Sequence, residues 1–282
     1  MASSSATSSE QPIPLSYTTH TPPHPTTTTT TPIIFLHGLE TSSLEYTHVL
    51  PFLTENYTIH LIDLPGHSTS KHIPFTLPTA IAGLKHHITT KTPQQKAHLV
   101  GLSLGGFIAL KFCQGHPEMV TSLFSTGCAP FSRGGVRKWI MEHPSLLANF
   151  QLGINRYLPI SESMFWAPMG VAPFPELREV MRANSSYDLL VAGYSACNSV
   201  SLEDLEGIGG VRVAIVAGAR RDDVEGTREA GRVLRRVNEE SRAFVVREAV
   251  HLWDLQFPEL FAEGVRAWVE GREMPKEFEV LE

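Results

Sequence analysis

Cysteine is scarce in this chain, and Cys113, Cys128 and Cys197 are all that 282 residues hold. Three thiols leave one unpaired in any disulfide scheme, and their spacing matches no metal-ligand pattern. A disulfide-stapled fold and a structural zinc site are therefore not expected, and a reducing compartment is. No apolar run reaches the ~20 residues that a membrane-spanning helix needs. Charge of one sign is lacking as well. The formal net charge is −6 with acidic and basic residues interspersed, so neither a nucleic-acid groove nor an anionic membrane surface is indicated. The first residues, Met1 to Thr7, carry neither the basic start nor the apolar centre of a secretory signal. The Asn56-Tyr57-Thr58 and Asn184-Ser185-Ser186 sequons then read as chance, and the expected location is cytoplasmic. Metal binding by His86-His87 is disfavoured, because adjacent helical residues do not face one ligand position. No cofactor is expected.

What the chain does have is length enough for one large α/β core with an insertion. Residues 1–12 are Ser-, Ala- and Thr-rich and read as a disordered tail. An edge strand over Pro14–His20 and a proline- and threonine-rich loop over Thr21–Pro32 follow. From Ile33 the pattern alternates. Strands are expected over Ile33–Leu36, Tyr57–Ile62, Lys96–Val100 and Val120–Ser125. Helices are expected over Ser43–Thr54, with Pro51 as an internal break, over Leu77–Ile88 and over Phe107–Cys113. That order is the signature of a doubly wound, mostly parallel sheet. From Phe131 to about Leu205 strand patterns stop, and helical patches rich in aromatics are broken by Pro159, Pro168, Pro173 and Pro175. Strands over Val211–Val216 and Ala243–Val246 and helices over Glu225–Glu239 and Pro258–Val269 complete the pattern. The expected organisation is a core from residues 13–130 and 206–282, with 131–205 as a helical cap over the strand ends.

The stretch Gly101-Leu102-Ser103-Leu104-Gly105-Gly106 lies between a predicted strand and a predicted helix. Gly-x-Ser-x-Gly in that setting is a nucleophile elbow, a turn so tight that side chains two positions either side of the serine must be nearly absent. It lifts the Ser103 hydroxyl off the sheet edge and puts the Leu104 N–H at a helix N-terminus, where a developing oxyanion is favoured. His37-Gly38-Leu39-Glu40, after the Ile33–Leu36 strand, is placed to supply a second such donor, the Leu39 N–H. Asp63 in Asp63-Leu64-Pro65-Gly66-His67-Ser68 reads as a loop-fixing carboxylate. For His67 the spacing provides no catalytic partner.

Three positions then fall on loops leaving one edge of the sheet, in the order Ser103, Asp222 or Asp223, and His251. A serine hydroxyl is a poor nucleophile at neutral pH. An imidazole must take its proton, and a carboxylate must fix the imidazole's tautomer. The elbow, Phe35-Leu36-His37-Gly38-Leu39, the Asp63–Ser68 segment, Val216-Ala217-Gly218 with its aspartates, and His251 before a closing helix together resemble the α/β-hydrolase fold, of the capped, esterase-like type, from about Pro14 to Val269. The resemblance implies Ser103 as nucleophile, His251 as general base and Asp222 as orienting acid, with Asp223 the alternative, and Leu39 and Leu104 N–H groups as the oxyanion hole. Two positions depart from the pattern. Arg221 stands where the acid is usual, which makes that loop one residue longer, and Val250 precedes the histidine where glycine is common.

The expected function is a serine hydrolase acting through an acyl-enzyme on a small or medium hydrophobic ester, lactone or thioester. Serine at the elbow argues against dehalogenase and epoxide hydrolase chemistry, which in this fold use aspartate there. Carbon–carbon bond hydrolysis or a biosynthetic lyase reaction would use the same triad. A non-catalytic ligand receptor is the reading from another class. Oligomeric state is not legible in the sequence.

Overall fold

The computed structural model describes residues 13–23, 31–130, 139, 142–157 and 160–282, the side chains of residues 155–157 excepted. The tail over residues 1–12, much of the threonine-rich loop and the first part of the 131–205 segment lie outside the described residues. The strands are β1 (Tyr17–His20), β2 (Ile33–Leu36), β3 (Ile59–Ile62), β4 (Ala97–Leu102), β5 (Val120–Thr126), β6 (Arg212–Gly218), β7 (Arg242–Val246) and β8 (Phe278–Val280). They form one sheet in the order β1-β3-β2-β4-β5-β6-β7-β8. Strands β2 to β7 run parallel, with antiparallel β1 and β8 on the edges. The closing antiparallel strand β8 was not expected from its short, charged sequence.

Period-2 alternation divides the core between the two faces of the sheet. Ile34, Leu36, Leu99 and Ile215 point to one face, and Ile33, Phe35, Val100 and Val216 to the other. Helices α1 (Leu77–Lys91), α2 (Leu104–Gly115) and α8 (Val224–Val237) cover the first face with Leu84, Ile88, Phe107, Ile108 and Leu234. Helix α10 (Pro258–Glu270) covers the second with Phe261, Val265 and Trp268, beside Tyr46, Val49 and Leu53. Each such side chain contributes roughly 1.5–3 kcal/mol on burial, so the two layers hold the strand ends in fixed register. The segment expected as helix over Ser43–Thr54, with a break at Pro51, is a pair of 3₁₀ turns, Ser43–Tyr46 and Leu50–Phe52. The Ser42 hydroxyl accepts from the Leu44 N–H at the first, and Pro51, which has no N–H to continue a ladder, opens the second.

Between β5 and β6 the described residues hold α3 (Pro144–Tyr157), α4 (Glu162–Trp166), α5 (Pro175–Asn184), α6 (Tyr187–Asn198) and α7 (Leu202–Glu206), and no strand. Trp166, Val171 and Leu177 form a small core of their own with Leu255, from the short helix α9 (Trp253–Gln256). Glu162 ties it together, accepting from the Trp166 indole at 3.0 Å and pairing with Arg178 at 3.1 Å. Among the described residues no helix is long and apolar enough to cross a membrane.

Candidate active site

Ser103 sits between β4 and α2 with φ 52 and ψ −116, a backbone conformation that a side-chain-bearing residue adopts only under constraint. The constraint is visible on both sides. A Cβ on Gly101 would lie 2.6 Å from the Gly105 carbonyl oxygen, and one on Gly105 only 2.0 Å from that of Leu36. The Ser103 N–H donates to the Thr126 carbonyl at 2.9 Å, which pins the elbow to the end of β5. Leu104 opens α2, so its N–H is among the first-turn donors that the helix itself leaves unpaired.

The loop after β2 is braced from beneath. Buried Glu45 accepts the Gly38 N–H at 2.8 Å and the Thr41 hydroxyl at 3.0 Å through one oxygen. Its burial raises its pKa to about 7 against the pull of those two donors. Two buried histidines hold the loop to the Asp63–Ser68 turn. His37 Nε2 accepts from the Leu64 N–H at 3.0 Å, and its Nδ1–H donates to the Gly38 carbonyl at 2.8 Å. His67 Nε2 accepts from the Glu40 N–H at 3.1 Å while Nδ1–H donates to the Pro65 carbonyl at 2.8 Å. Each ring is thus neutral in one tautomer, and burial drives the His67 pKa down to about 3. His67 is a loop brace. Asp63 fixes loops too, accepting from the Ser43 N–H at 2.9 Å and from the Thr69 N–H and hydroxyl at 3.1 and 2.6 Å.

The carboxylate pair after β6 separates cleanly. Asp222 Oδ1 accepts from His251 Nδ1–H at 2.6 Å, and Oδ2 accepts from the Gly218 N–H at 2.7 Å. The extra residue of this loop is taken up in a helical turn, with the Asp222 N–H donating to the Gly218 carbonyl at 2.9 Å. Asp223 turns away and caps α8, accepting from the Gly226 N–H at 2.9 Å. Because a carboxylate only accepts, the proton between His251 and Asp222 resides on Nδ1, which leaves Nε2 with its lone pair. The histidine loop is anchored by the Trp253 indole on the Thr126 hydroxyl at 2.8 Å, and by the Gln256 side chain, which accepts from the Val250 N–H at 2.9 Å.

Ser103, Asp222 and His251 line one cavity of about 330 Å³ together with Gly38, Leu39, Phe107, Ala129, Met181 and Cys197. Helix α6 approaches so closely that a Cβ on Gly193 would lie 2.5 Å from the Leu39 side chain. Several residues of the site carried no readable signal in the sequence. Gly127, with φ +63, leaves no room for a side chain, since a Cβ there would sit 2.7 Å from His251 Cε1 and 2.8 Å from Nδ1. Glu40, Gln151 and Tyr194 also line the cavity, joined by hydrogen bonds from Tyr194 to Gln151 and from Gln151 to Glu40. Asn184 is 1% exposed and donates to the Glu40 and Thr41 carbonyls at 2.8 and 2.9 Å, so its sequon is closed to a glycan. His87 pairs with His60 at 2.9 Å rather than with His86. Among the described residues no cluster of His, Cys, Asp and Glu could hold a metal ion.

The chain is similar to known hydrolases. Residues 31–157 match the α/β hydrolase fold family. An AB hydrolase superfamily protein of Gibberella zeae is 28% identical over 256 residues, covering 88% of this chain and 83% of the relative. The pimeloyl-[acyl-carrier protein] methyl ester esterase of Aeromonas hydrophila is 31% identical over 121 residues, spanning 42% of this chain and 45% of its own length. Among solved structures, a thermophilic esterase from Thermogutta terrifontis superposes with a TM-score of 0.65 at 18% identity, over 91% of this chain and 93% of that one.

Proposed function

We propose that this chain, whose residues 31–157 match the α/β-hydrolase fold family, is a serine hydrolase of small or medium carboxylic esters, lactones or thioesters. The observation that carries this reading is the His251 Nδ1–H to Asp222 Oδ1 hydrogen bond at 2.6 Å, on a cavity that the elbow serine also lines. With its tautomer fixed, His251 Nε2 takes the Ser103 proton as Oγ attacks the carbonyl. The tetrahedral oxyanion forms against the N–H groups of Leu39 and Leu104, donors already oriented by the loop bracing and by the helix start. His251 then passes the proton to the leaving group, and water resolves the acyl-enzyme by the same steps in reverse. The similarity to ester hydrolases supports the reaction class.

In this reading residues 131–205 act as a cap. Met181 of α5 and Tyr194 and Cys197 of α6 supply wall to the cavity, while the core supplies the reacting groups. A volume of about 330 Å³ suits a small or medium acyl group rather than a polymer. Cys113, Cys128 and Cys197 are buried free thiols, which supports a reducing, cytoplasmic setting.

The test is covalent. A fluorophosphonate probe is expected to label the purified protein at Ser103, with labelling and ester turnover both lost in Ser103→Ala. Labelling that persists in that variant would sink the assignment. A protein that labels nowhere and turns over no ester would belong with the ligand receptors.

A further inference from the structure

Thr126 is the last residue of β5, in register with Leu102 on one side and Val216 on the other. It therefore stands beside the strand ends from which the elbow serine and the acid loop leave. Its carbonyl accepts the Ser103 N–H at 2.9 Å, and its hydroxyl accepts the Trp253 indole N–H at 2.8 Å. One residue thus holds the backbone of the candidate nucleophile and, through Trp253, the loop that carries His251 two positions earlier. Gly127, the next residue, donates to the Val216 carbonyl at 3.1 Å, which fixes the same corner to β6.

Two further ties of the histidine loop lead to the acid side instead. His251 Nδ1–H donates to Asp222, and the Ala249 carbonyl accepts from the Arg220 N–H at 3.0 Å. Both partners belong to the turn after β6, so these bonds keep base and acid together without referring either to Ser103. The Trp253 bond refers the loop to the strand end on which Ser103 is pinned. The indole can transmit that position because its ring is fully buried, with centroids 4.7 Å from Phe261 and 5.7 Å from Phe278. Packing on those faces holds its N–H in one direction. Thr126 is fully buried too. Valine has the same branched shape and suits a buried strand, and a buried hydrogen bond between neutral groups adds little net stability. What the polar pair adds over an apolar one is direction and distance.

We propose that Thr126 is a positioning residue for the hydrolytic reaction, setting the separation between Ser103 Oγ and His251 Nε2 with its carbonyl on one loop and its hydroxyl on the other. This rests on the serine-hydrolase reading and adds to its site a residue that acts only through the groups it holds. Proton transfer is sensitive to that separation. Hydrogen-bond reach is about 2.6–3.2 Å between heavy atoms, and a displacement near 1 Å can cost roughly 10²-fold. Loss of the Thr126 hydroxyl frees the indole end of the loop while the acid side stays tied, so the imidazole moves with Asp222 and not with Ser103. The cost falls on the chemical step rather than on binding, because neither Thr126 nor Trp253 lines the cavity.

The test is made on the full-length protein. Thr126→Val keeps the shape and removes the acceptor, and should lower kcat for ester turnover about tenfold to a hundredfold with KM within about twofold. Labelling of Ser103 by the fluorophosphonate probe should slow in the same proportion. Thr126→Ser returns the hydroxyl and should bring kcat back to within about threefold of the parent. Trp253→Phe removes the donor, and its loss should not multiply with that of Thr126→Val in the double variant, since both break one bond. The low-field NMR signal of His251 Nδ1–H should persist in Thr126→Val, because the tie to Asp222 is intact. The proposal is overturned by a Thr126→Val variant that keeps its kcat, or whose loss lies in KM, or that loses the imidazole signal. A Thr126→Ser variant as slow as Thr126→Val, or losses that multiply, would overturn it as well. Crystal structures of the parent and of Thr126→Val supply a readout free of activity. The Ser103 Oγ to His251 Nε2 separation should lengthen by about 0.5–1 Å in the variant, and an unchanged separation would count against the proposal decisively. A parent that labels at no serine and turns over no ester would overturn the hydrolase reading alone, with the separation still testing what Thr126 sets.

Discussion

The two walls of the cavity are built on different principles. On the core side nearly every group is held by backbone geometry. Ser103 needs its left-handed φ, Gly105 must approach the Leu36 carbonyl, and His37, His67, Asp63 and Glu45 each satisfy loop N–H groups. On the side of residues 131–205, which the proposed reading makes a cap, Gln151, Met181, Tyr194 and Cys197 come from helices that need no unusual backbone, and Gln151 reaches across to Glu40 of the core loop. Fixed geometry suits the chemical steps, where displacement of a catalytic group by about 1 Å can cost roughly 10²-fold. A wall of ordinary helical residues can change its side chains without disturbing that geometry, which is where selectivity can vary.

The largest effect that tests this division is on the acid. Asp222→Asn keeps the shape but favours the wrong imidazole tautomer, and kcat for ester turnover should fall on the order of 10⁴-fold, as in the serine-protease precedent. Asp223→Asn should stay within a few-fold of the parent, since asparagine caps a helix about as well as aspartate. The Asp223 contact to the Gly226 N–H is a capping contact, not a catalytic one. Steady-state kinetics on the two variants would decide it. The reverse pattern would move the assignment by one residue, and two near-normal variants would remove both aspartates from the triad.

Legibility in the sequence follows the same division. The elbow, the His37-Gly38 loop, the strand order from Ile33 and the Ser103, Asp222 or Asp223, His251 series were readable, because constrained backbones demand particular residues at fixed spacing. Asp222 could be set ahead of Asp223 only through family resemblance, since which one reaches His251 depends on whether the loop turns or runs straight. The break at Pro51 in the Ser43–Thr54 segment was legible, but its 3₁₀ character was not, because Val49 and Leu53 bury at a helix-like spacing. Gln151 and Tyr194 were invisible. A glutamine and a tyrosine on amphipathic helices carry no mark of the partner they will meet, and Glu40 read as an ordinary loop residue.

A smaller effect concerns Gly127, which belongs to the constrained side although no motif marks it. Gly127→Ala places a methyl group within 2.7 Å of His251 Cε1 and 3.5 Å of Asp222 Oδ1, at a φ of +63 that alanine tolerates poorly. The ring must move, and a shift approaching 1 Å predicts a loss in kcat of about 10²-fold. KM should change little, because Gly127 faces the imidazole rather than the cap wall. A variant with normal kcat and raised KM would instead assign this glycine to substrate binding. Melting should fall by no more than the cost of one strained residue, about 1–3 kcal/mol, so activity is the more sensitive readout.

The smallest effect separates two buried groups of the core loops, His67 and Glu40, by the direction of their pH response. On the core side, burial lowers the pKa of His67 to about 3. The unfolded chain then binds the extra proton below the ordinary histidine value, and this stability is lost as pH falls from about 6.5 toward 3. At Glu40, where the core loop meets Gln151, the sign is opposite. The folded Glu40 pKa, at about 7, lies above the ordinary 4.5, so between those values the folded state holds the extra proton, and stability declines as pH rises through that window. Replacement by glutamine removes the titration while keeping the size and the hydrogen-bonding oxygen. The Tyr194 hydroxyl that donates to Gln151 has its pKa pushed up to about 12 and does not titrate in the range, and His67 titrates alike in both proteins. The difference in melting temperature between Glu40→Gln and the parent should therefore grow in favour of the variant from pH 5 to pH 8, by the equivalent of about 2–3 kcal/mol. A difference independent of pH would mean that Glu40 stays ionised in the fold across this range.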